Sequence, residues 1–244
     1  MSAYFDVSYM IHSFPLLASY VQITLWITLV ASVVGLLLGC FMAVLRVNHV
    51  KGVSQLLTIY ISFIRGTPFL VQLFLVYFGA PELLNHMGVS VKGLPPMLFV
   101  LIVFTLYLAA YTSEIMRSSI EAVTKGEKEA ALSLGMTSLQ AYVRVILPQA
   151  FVLAIPPLIN TMLSVLKGTS LIFNVGIVDI MRKADLLGGN SQRYLELFID
   201  VAILYGILVF VITQVGRMAE QHFNVAHAHR NEKGVEDCGV YRSY

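Results

Sequence analysis

Ionisable and strongly polar side chains interrupt stretches of this sequence that are otherwise apolar, and their types and spacing point to chemistry. Arg65 precedes Gly66, Thr67 and Pro68; Glu114 and Arg117 stand three apart; Asn160, Thr161 and Ser164 are followed by Lys167, Thr169 and Ser170. Such groups are costly in an apolar setting, so they face a pathway or a partner side chain. The Arg-Gly-Thr-Pro sequence should break a helix and free backbone carbonyls inside the protein. Arg65 then either satisfies those carbonyls or faces a pathway. Glu114 and Arg117 are spaced to pair with each other, in a structural or gating role. Asn160, Ser164, Lys167, Thr169 and Ser170 lie beyond Pro156 and Pro157, on a helix expected to be broken there. With Thr67 and Gln72 from an earlier segment, they offer acceptors for an ammonium and donors for a carboxylate, the two needs of a zwitterion. The alternative for each is a bond to a neighbouring helix.

Other chemistries lack their residues. No G-x-x-x-x-G-K-[ST] loop occurs, so no cofactor is expected on this chain, and any ATP and Mg2+ must sit on another polypeptide. His222, His227 and His229 lack a fourth ligand in a plausible geometry, so no metal is expected. No nucleophile elbow and no paired carboxylates at a membrane interface appear, which argues against a membrane enzyme. A chain of ion-coupling residues, which an autonomous secondary transporter or channel would need, is also missing. A formal net charge of +2, with scattered basic residues, excludes a nucleic-acid surface. Cys40 lies in an apolar run and Cys238 in a polar tail, so a disulfide between them is not expected.

The elements that position these residues follow from composition. With 57% hydrophobic and 12% charged residues and a mean hydropathy of +0.78, the chain is an all-α integral membrane protein rather than a water-facing globule. A bilayer core of about 30 Å takes roughly 20 apolar residues as helix. Five segments qualify, over residues 16–45, 53–79, 95–118, 149–167 and 195–217, in a single domain spanning 1–244. In the first, Gly35, Gly39 and Ala43 share a face suited to close helix contact. Residues Met1 to His12 lack the basic region of a cleavable signal, so the first segment is expected to remain.

Orientation follows from the basic residues, which collect on the cytoplasmic side. Arg46, Lys51, Arg117, Lys125, Lys128, Arg144, Arg217, Arg230, Lys233 and Arg242 share one side; Lys92, Lys167, Arg182, Lys183 and Arg193 lie on the other. The N-terminus is therefore expected outside, with the loop 121–148 and the tail 218–244 in the cytoplasm. In that loop Leu132, Met136, Leu139 and Val143 recur at helical spacing, and Gly135 allows a bend between two short helices. The stripe packs either on the protein's own helices or on a partner.

The loop resembles that of the permeases of binding-protein-dependent ATP-binding-cassette importers, whose motif is Glu-Ala-Ala, three residues, Gly, nine residues, Ile-x-Leu-Pro. Glu129, Ala130, Ala131, Gly135, Leu147 and Pro148 match it, and Val145 replaces Ile. The resemblance is closest to the polar amino-acid permeases, the histidine, glutamine, arginine and cystine systems. It continues through YISFIRGTPFLVQLF at 60–74, the Ala-Tyr-x-x-Glu-x-x-Arg run from Ala110, and 147–171. That group usually has Lys-Asp-Thr-Ser where this chain has Lys167, Gly168, Thr169 and Ser170; loss of the carboxylate disfavours a cationic substrate.

The resemblance implies a type I importer permease fold in a bacterial inner membrane. It also implies a coupling helix formed by Glu129, Ala130, Ala131, Leu132, Gly135, Met136 and Leu139. Two ATP-binding-cassette ATPase subunits, a second permease subunit and an extracytoplasmic amino-acid-binding protein are the implied partners. The implied substrate is a polar amino acid such as cystine or glutamine, with histidine or another basic amino acid as the alternative.

Overall fold

The computed structural model describes residues 5–90, 93–123 and 125–239, with side chains through Phe223 except at residue 125. His227, His229 and Cys238 thus fall outside the described side chains. Among the described residues the regular structure is helical: α1 Val7–Ala18, α2 Val21–Val47, α3 Val53–Gly66, α4 Phe69–His86, α5 Pro96–Ala122, α6 Lys125–Ser133, α7 Ser138–Val175, α8 Ile180–Ser191 and α9 Tyr194–Gly239. Helices α2, α5, α7 and α9 are long and apolar enough to cross a membrane, and α3 with α4 makes a fifth span if counted together.

The most extensive pairing is α2 with α5. Thr24, Thr28, Ala31, Ser32, Gly35, Gly39 and Ala43 form the buried face of α2, in steps of three and four. The absence of side chains at two of these positions permits the contact. A Cβ on Gly35 would sit 2.8 Å from Leu108, and one on Gly39 2.5 Å from Thr112. Small residues let helix backbones approach closely in lipid, where dispersion replaces the hydrophobic drive. Beside this seam, Ile27, Leu73, Val100, Phe104, Leu108 and Ile172 form the main core.

The apolar run 16–45 is not one helix. It is divided at Ser19 and Tyr20 into the end of α1 and the start of α2. Twelve residues of helix reach only about 18 Å, short of a bilayer core, and α1 is held along α9 by polar contacts. Ser13 Oγ donates to Asp200 Oδ2 at 2.7 Å, the Asp6 amide donates to Glu196 Oε1 at 3.0 Å, and Arg193 pairs with Asp6 at 3.2 Å. Hydropathy cannot see this corner because its residues carry no charge.

The second span breaks as the Arg-Gly-Thr-Pro sequence predicts: α3 and α4 meet at 115°. Thr67, forced to extended geometry before proline, has φ −115° and ψ 146°. Gln72 satisfies the freed carbonyls, its Nε2 lying 2.7 Å from Ile64 O and 2.9 Å from Thr67 O. Arg65 does not perform that task.

The expected break at Pro156 and Pro157 does not occur; α7 continues through both. Each proline removes one donor, but Ala154 packs with Ala43 and Met116 across α2 and α5, and membrane helices tolerate proline where neighbours hold them. The loop 121–148 is α6, a turn at Gly135, and the foot of α7.

Two stability effects follow. Gly39→Val should overpack the α2–α5 seam by about 1–3 kcal/mol and lower the thermal unfolding midpoint of the detergent-purified protein. Gly206→Ala, with nothing within 4 Å, should not. Gln72→Leu keeps the side-chain volume but strands two carbonyls, each worth about 1–3 kcal/mol when buried and unpaired, so it should lower the midpoint further than Leu73→Met.

Candidate functional site

Three features bring the polar residues together: an elbow between α6 and the foot of α7, a carboxylate shared by arginines, and the exposed side of α7.

The elbow turns at Gly135, whose φ of +82° is left-handed. Thr137 then caps α7 in a capping box: its hydroxyl accepts from the Gln140 amide, and Gln140 Oε1 accepts from the Thr137 amide at 2.9 Å. Ala131 is buried, while Glu129, Ala130, Leu132, Leu139 and Val143 are exposed and Met136 is half-buried. Leu134, which helical spacing did not single out, is 81% exposed and Leu139 72%. Leu132, Leu134, Leu139 and Val143 are therefore left uncovered by the chain's own helices.

Glu114 is the shared carboxylate. Arg117 pairs with it as the i, i+3 spacing predicts, Nη2 to Oε1 at 2.6 Å, and Arg46 reaches Oε2 from α2 at 2.7 Å. Arg117 also pairs with Glu121. From the end of α3, Arg65 Nη1 comes only to 3.9 Å of Oε1, and its guanidinium lies over the Tyr111 ring, 5.7 Å from the centroid. Tyr60 Oη ties α3 to the Leu106 carbonyl at 2.6 Å. Three helices thus converge on one acid.

The structure divides the α7 candidates between two surroundings. Asn160, Ser164 and Lys167 fall on one exposed face, with Ser164 Oγ donating to Asn160 O at 3.0 Å. Ser170, half-buried, donates to Lys167 O at 2.7 Å. Thr169 is fully buried and meets Tyr205 Oη at 3.1 Å, which is itself 3.5 Å from Asp179 Oδ2. Asp179 escaped the sequence reading, although an Asp opening a helical stretch is an N-cap signature. It caps α8, accepting from the Arg182 amide at 2.8 Å, and burial pushes its carboxyl up to about 6. Gln72 is buried in its capping role, and Thr67 Oγ1 joins it at 2.9 Å.

An aromatic row connects the helix break to α7. Phe69 packs on Phe104 at 4.6 Å and on Tyr107 at 5.2 Å, and Tyr107 on Tyr111 at 4.6 Å between ring centroids. Gly168 abuts its far end, where a Cβ would meet Phe104 at 3.2 Å and Phe69 at 3.8 Å.

Comparison with known proteins gives this architecture a family. The family described as "Binding-protein-dependent transport system inner membrane component" matches residues 35–225. The "Probable amino-acid ABC transporter permease protein PatM" of Vibrio harveyi is 40% identical over 91% of this chain and 98% of its own length. The "L-cystine transport system permease protein TcyL" of Bacillus subtilis (strain 168) is 36% identical, over 91% and 92%. Among solved structures, "Crystal structure of an amino acid ABC transporter with histidines" superposes with a TM-score of 0.81 at 33% identity, covering 90% of this chain and 100% of that one. The inward-facing MetNI methionine ABC transporter shares the fold, with a TM-score of 0.67 at 21% identity. A multi-pass helical chain with a broken second span and a Glu-Ala-Ala elbow thus belongs to the inner membrane components of binding-protein-dependent transport systems.

Proposed function

We propose that this chain is the permease subunit of an ATP-driven importer for a polar amino acid, joined through the elbow at Gly135 to a separate ATP-binding-cassette ATPase. The carrying observation is the exposure of Leu134 and Leu139, at 81% and 72%, at the turn of Gly135 and the first residues of α7. Apolar side chains presented there, next to the exposed small residue Ala130 and carboxylate of Glu129, fit a groove on a partner protein. The bias of basic residues supports an orientation with this elbow in the cytoplasm, the N-terminus outside and the C-terminus inside.

Two permease subunits enclose the pathway, and an extracytoplasmic binding protein delivers the substrate. ATP and Mg2+ belong to a pair of ATPase chains, whose closure draws the two elbows together and rocks the spans outward-open; hydrolysis returns them. Arg65, Thr67, Gln72, Glu114, Asn160, Ser164, Lys167, Thr169 and Ser170 are the pathway candidates. The burial of Gln72 and Thr169 against Thr67 and Tyr205 supports a role behind the pathway for these two. Cystine and glutamine are the substrates favoured. Gly168 puts no carboxylate beside the aromatic row, which disfavours a basic amino acid, and the relative TcyL is described as a cystine permease.

Gly135 tests the coupling. A Cβ there meets nothing within 4 Å, so only the left-handed backbone resists substitution, by about 1–2 kcal/mol. Gly135→Val should leave membrane insertion intact while abolishing co-purification of the ATPase and ATP-driven uptake; Gly135→Asn, which adopts that conformation more readily, should retain part of both. Wild-type uptake by the valine variant would refute the elbow's role.

A further inference from the structure

Among the described residues, the guanidinium of Arg65 makes no hydrogen bond, although it stands beside the best acceptor in its neighbourhood. Both oxygens of Glu114 are taken: Oε2 by Arg46 at 2.7 Å and Oε1 by Arg117 at 2.6 Å. At 3.9 Å, Arg65 feels the charge of Glu114 but lies beyond hydrogen-bond reach. Arg46, Arg65 and Arg117 against Glu114 and Glu121 leave one positive charge uncompensated. Its owner is identifiable by exposure, since the Arg65 side chain is 47% accessible, against 10% for Arg46 and 28% for Arg117.

The group is also oriented. The Tyr111 ring lies under its guanidinium at 5.7 Å, and the broken end of α3 fixes its backbone. Gln72 relieves it of the freed carbonyls. An oriented, half-exposed guanidinium with its donors free fits a planar anion that can accept two parallel bonds. Nearby, the half-buried Tyr107 and Tyr111 carry hydroxyl oxygens of the kind that accept from an ammonium.

We infer that Arg65 binds the α-carboxylate of the transported amino acid, with Tyr107 and Tyr111 forming the adjoining wall. The inference rests on the amino-acid reading proposed above and deepens it. It also gives a physical basis for selectivity. A substrate with a net positive charge would meet the excess charge of this cluster and find no free carboxylate there, because Glu114 is already occupied. Neutral side chains such as those of cystine and glutamine meet no such penalty.

The test uses the purified permease–ATPase complex without binding protein, in nanodiscs of phosphatidylcholine, so that recognition by the permease is measured alone. Binding of L-cystine and L-glutamine is followed by calorimetry beside their decarboxylated counterparts, cystamine and 4-aminobutanamide. The wild type should bind at least one of the two amino acids, and bind its decarboxylated counterpart about tenfold or more weakly, the worth of a charge-assisted hydrogen-bond pair. Arg65→Gln should erase that discrimination, and Arg65→Lys, which keeps the charge but not the fork, should leave an intermediate ratio and decides the matter if the glutamine variant fails to assemble. A purely structural Arg65 would lower the amount of active complex without changing the ratio, and that result overturns the inference. So would binding of neither amino acid, or tightening by added phosphatidylglycerol alone. ATP-driven uptake of the same amino acids by the wild type, measured separately with the binding protein, tells failure of this assignment from failure of the importer reading.

Discussion

In a bilayer interior no water is available to accept or donate, so each backbone group released by a broken helix must find its partner within the protein. The 115° corner between α3 and α4 is where this constraint bears hardest. Gln72 answers it with one amide nitrogen that reaches Ile64 O, Thr67 O and Thr67 Oγ1. Because Gln72 holds the corner, Arg65 is not required there and turns instead toward Tyr111 and Glu114. The position of the most exposed arginine of this cluster is thus a consequence of how the carbonyls behind it are satisfied.

Around that corner the helices are locked in two different ways. The α2–α5 seam depends on shape: Gly35 and Gly39 bring the backbones close enough for Leu108 and Thr112 to fill the space a Cβ would take. The Glu114 cluster depends on charge, one carboxylate joining α2 through Arg46 and the end of α3 through the field at Arg65. Arg117 extends the network to Glu121, beside the end of α5 and the elbow that follows. The ion pairs of this cluster thus join α2 to the end of α5 that leads into the elbow.

The opposite end of the fold follows the same rule with other residues. Arg193, Glu196 and Asp200, charges at the head of an apolar helix, are matched by Asp6 and Ser13 of α1. Asp179, Tyr205 and Thr169 form a buried polar chain that joins the cap of α8 to α7 and α9. Polar groups that composition marks as anomalies in an apolar segment prove, in these cases, to be the fastenings between helices.

The membrane class, the break at Arg-Gly-Thr-Pro, the pairing of Glu114 with Arg117 and the elbow at Gly135 are all legible in the order of the amino acids. Each rests on local chemistry: hydropathy over a span, the fixed φ of proline, helical spacing, or the left-handed freedom of glycine. Only the tertiary structure decided where the first apolar run divides, that α7 passes unbroken through Pro156 and Pro157, and that Gln72 rather than Arg65 takes the freed carbonyls. It alone separated Thr169, sealed against Tyr205, from Asn160, Ser164 and Lys167 on the open face, and it alone showed Leu134 standing clear. The reason is common to all of these: each outcome depends on which neighbour from a distant part of the chain supplies a donor, a cavity or a packing surface, and spacing along one helix carries no information about that neighbour.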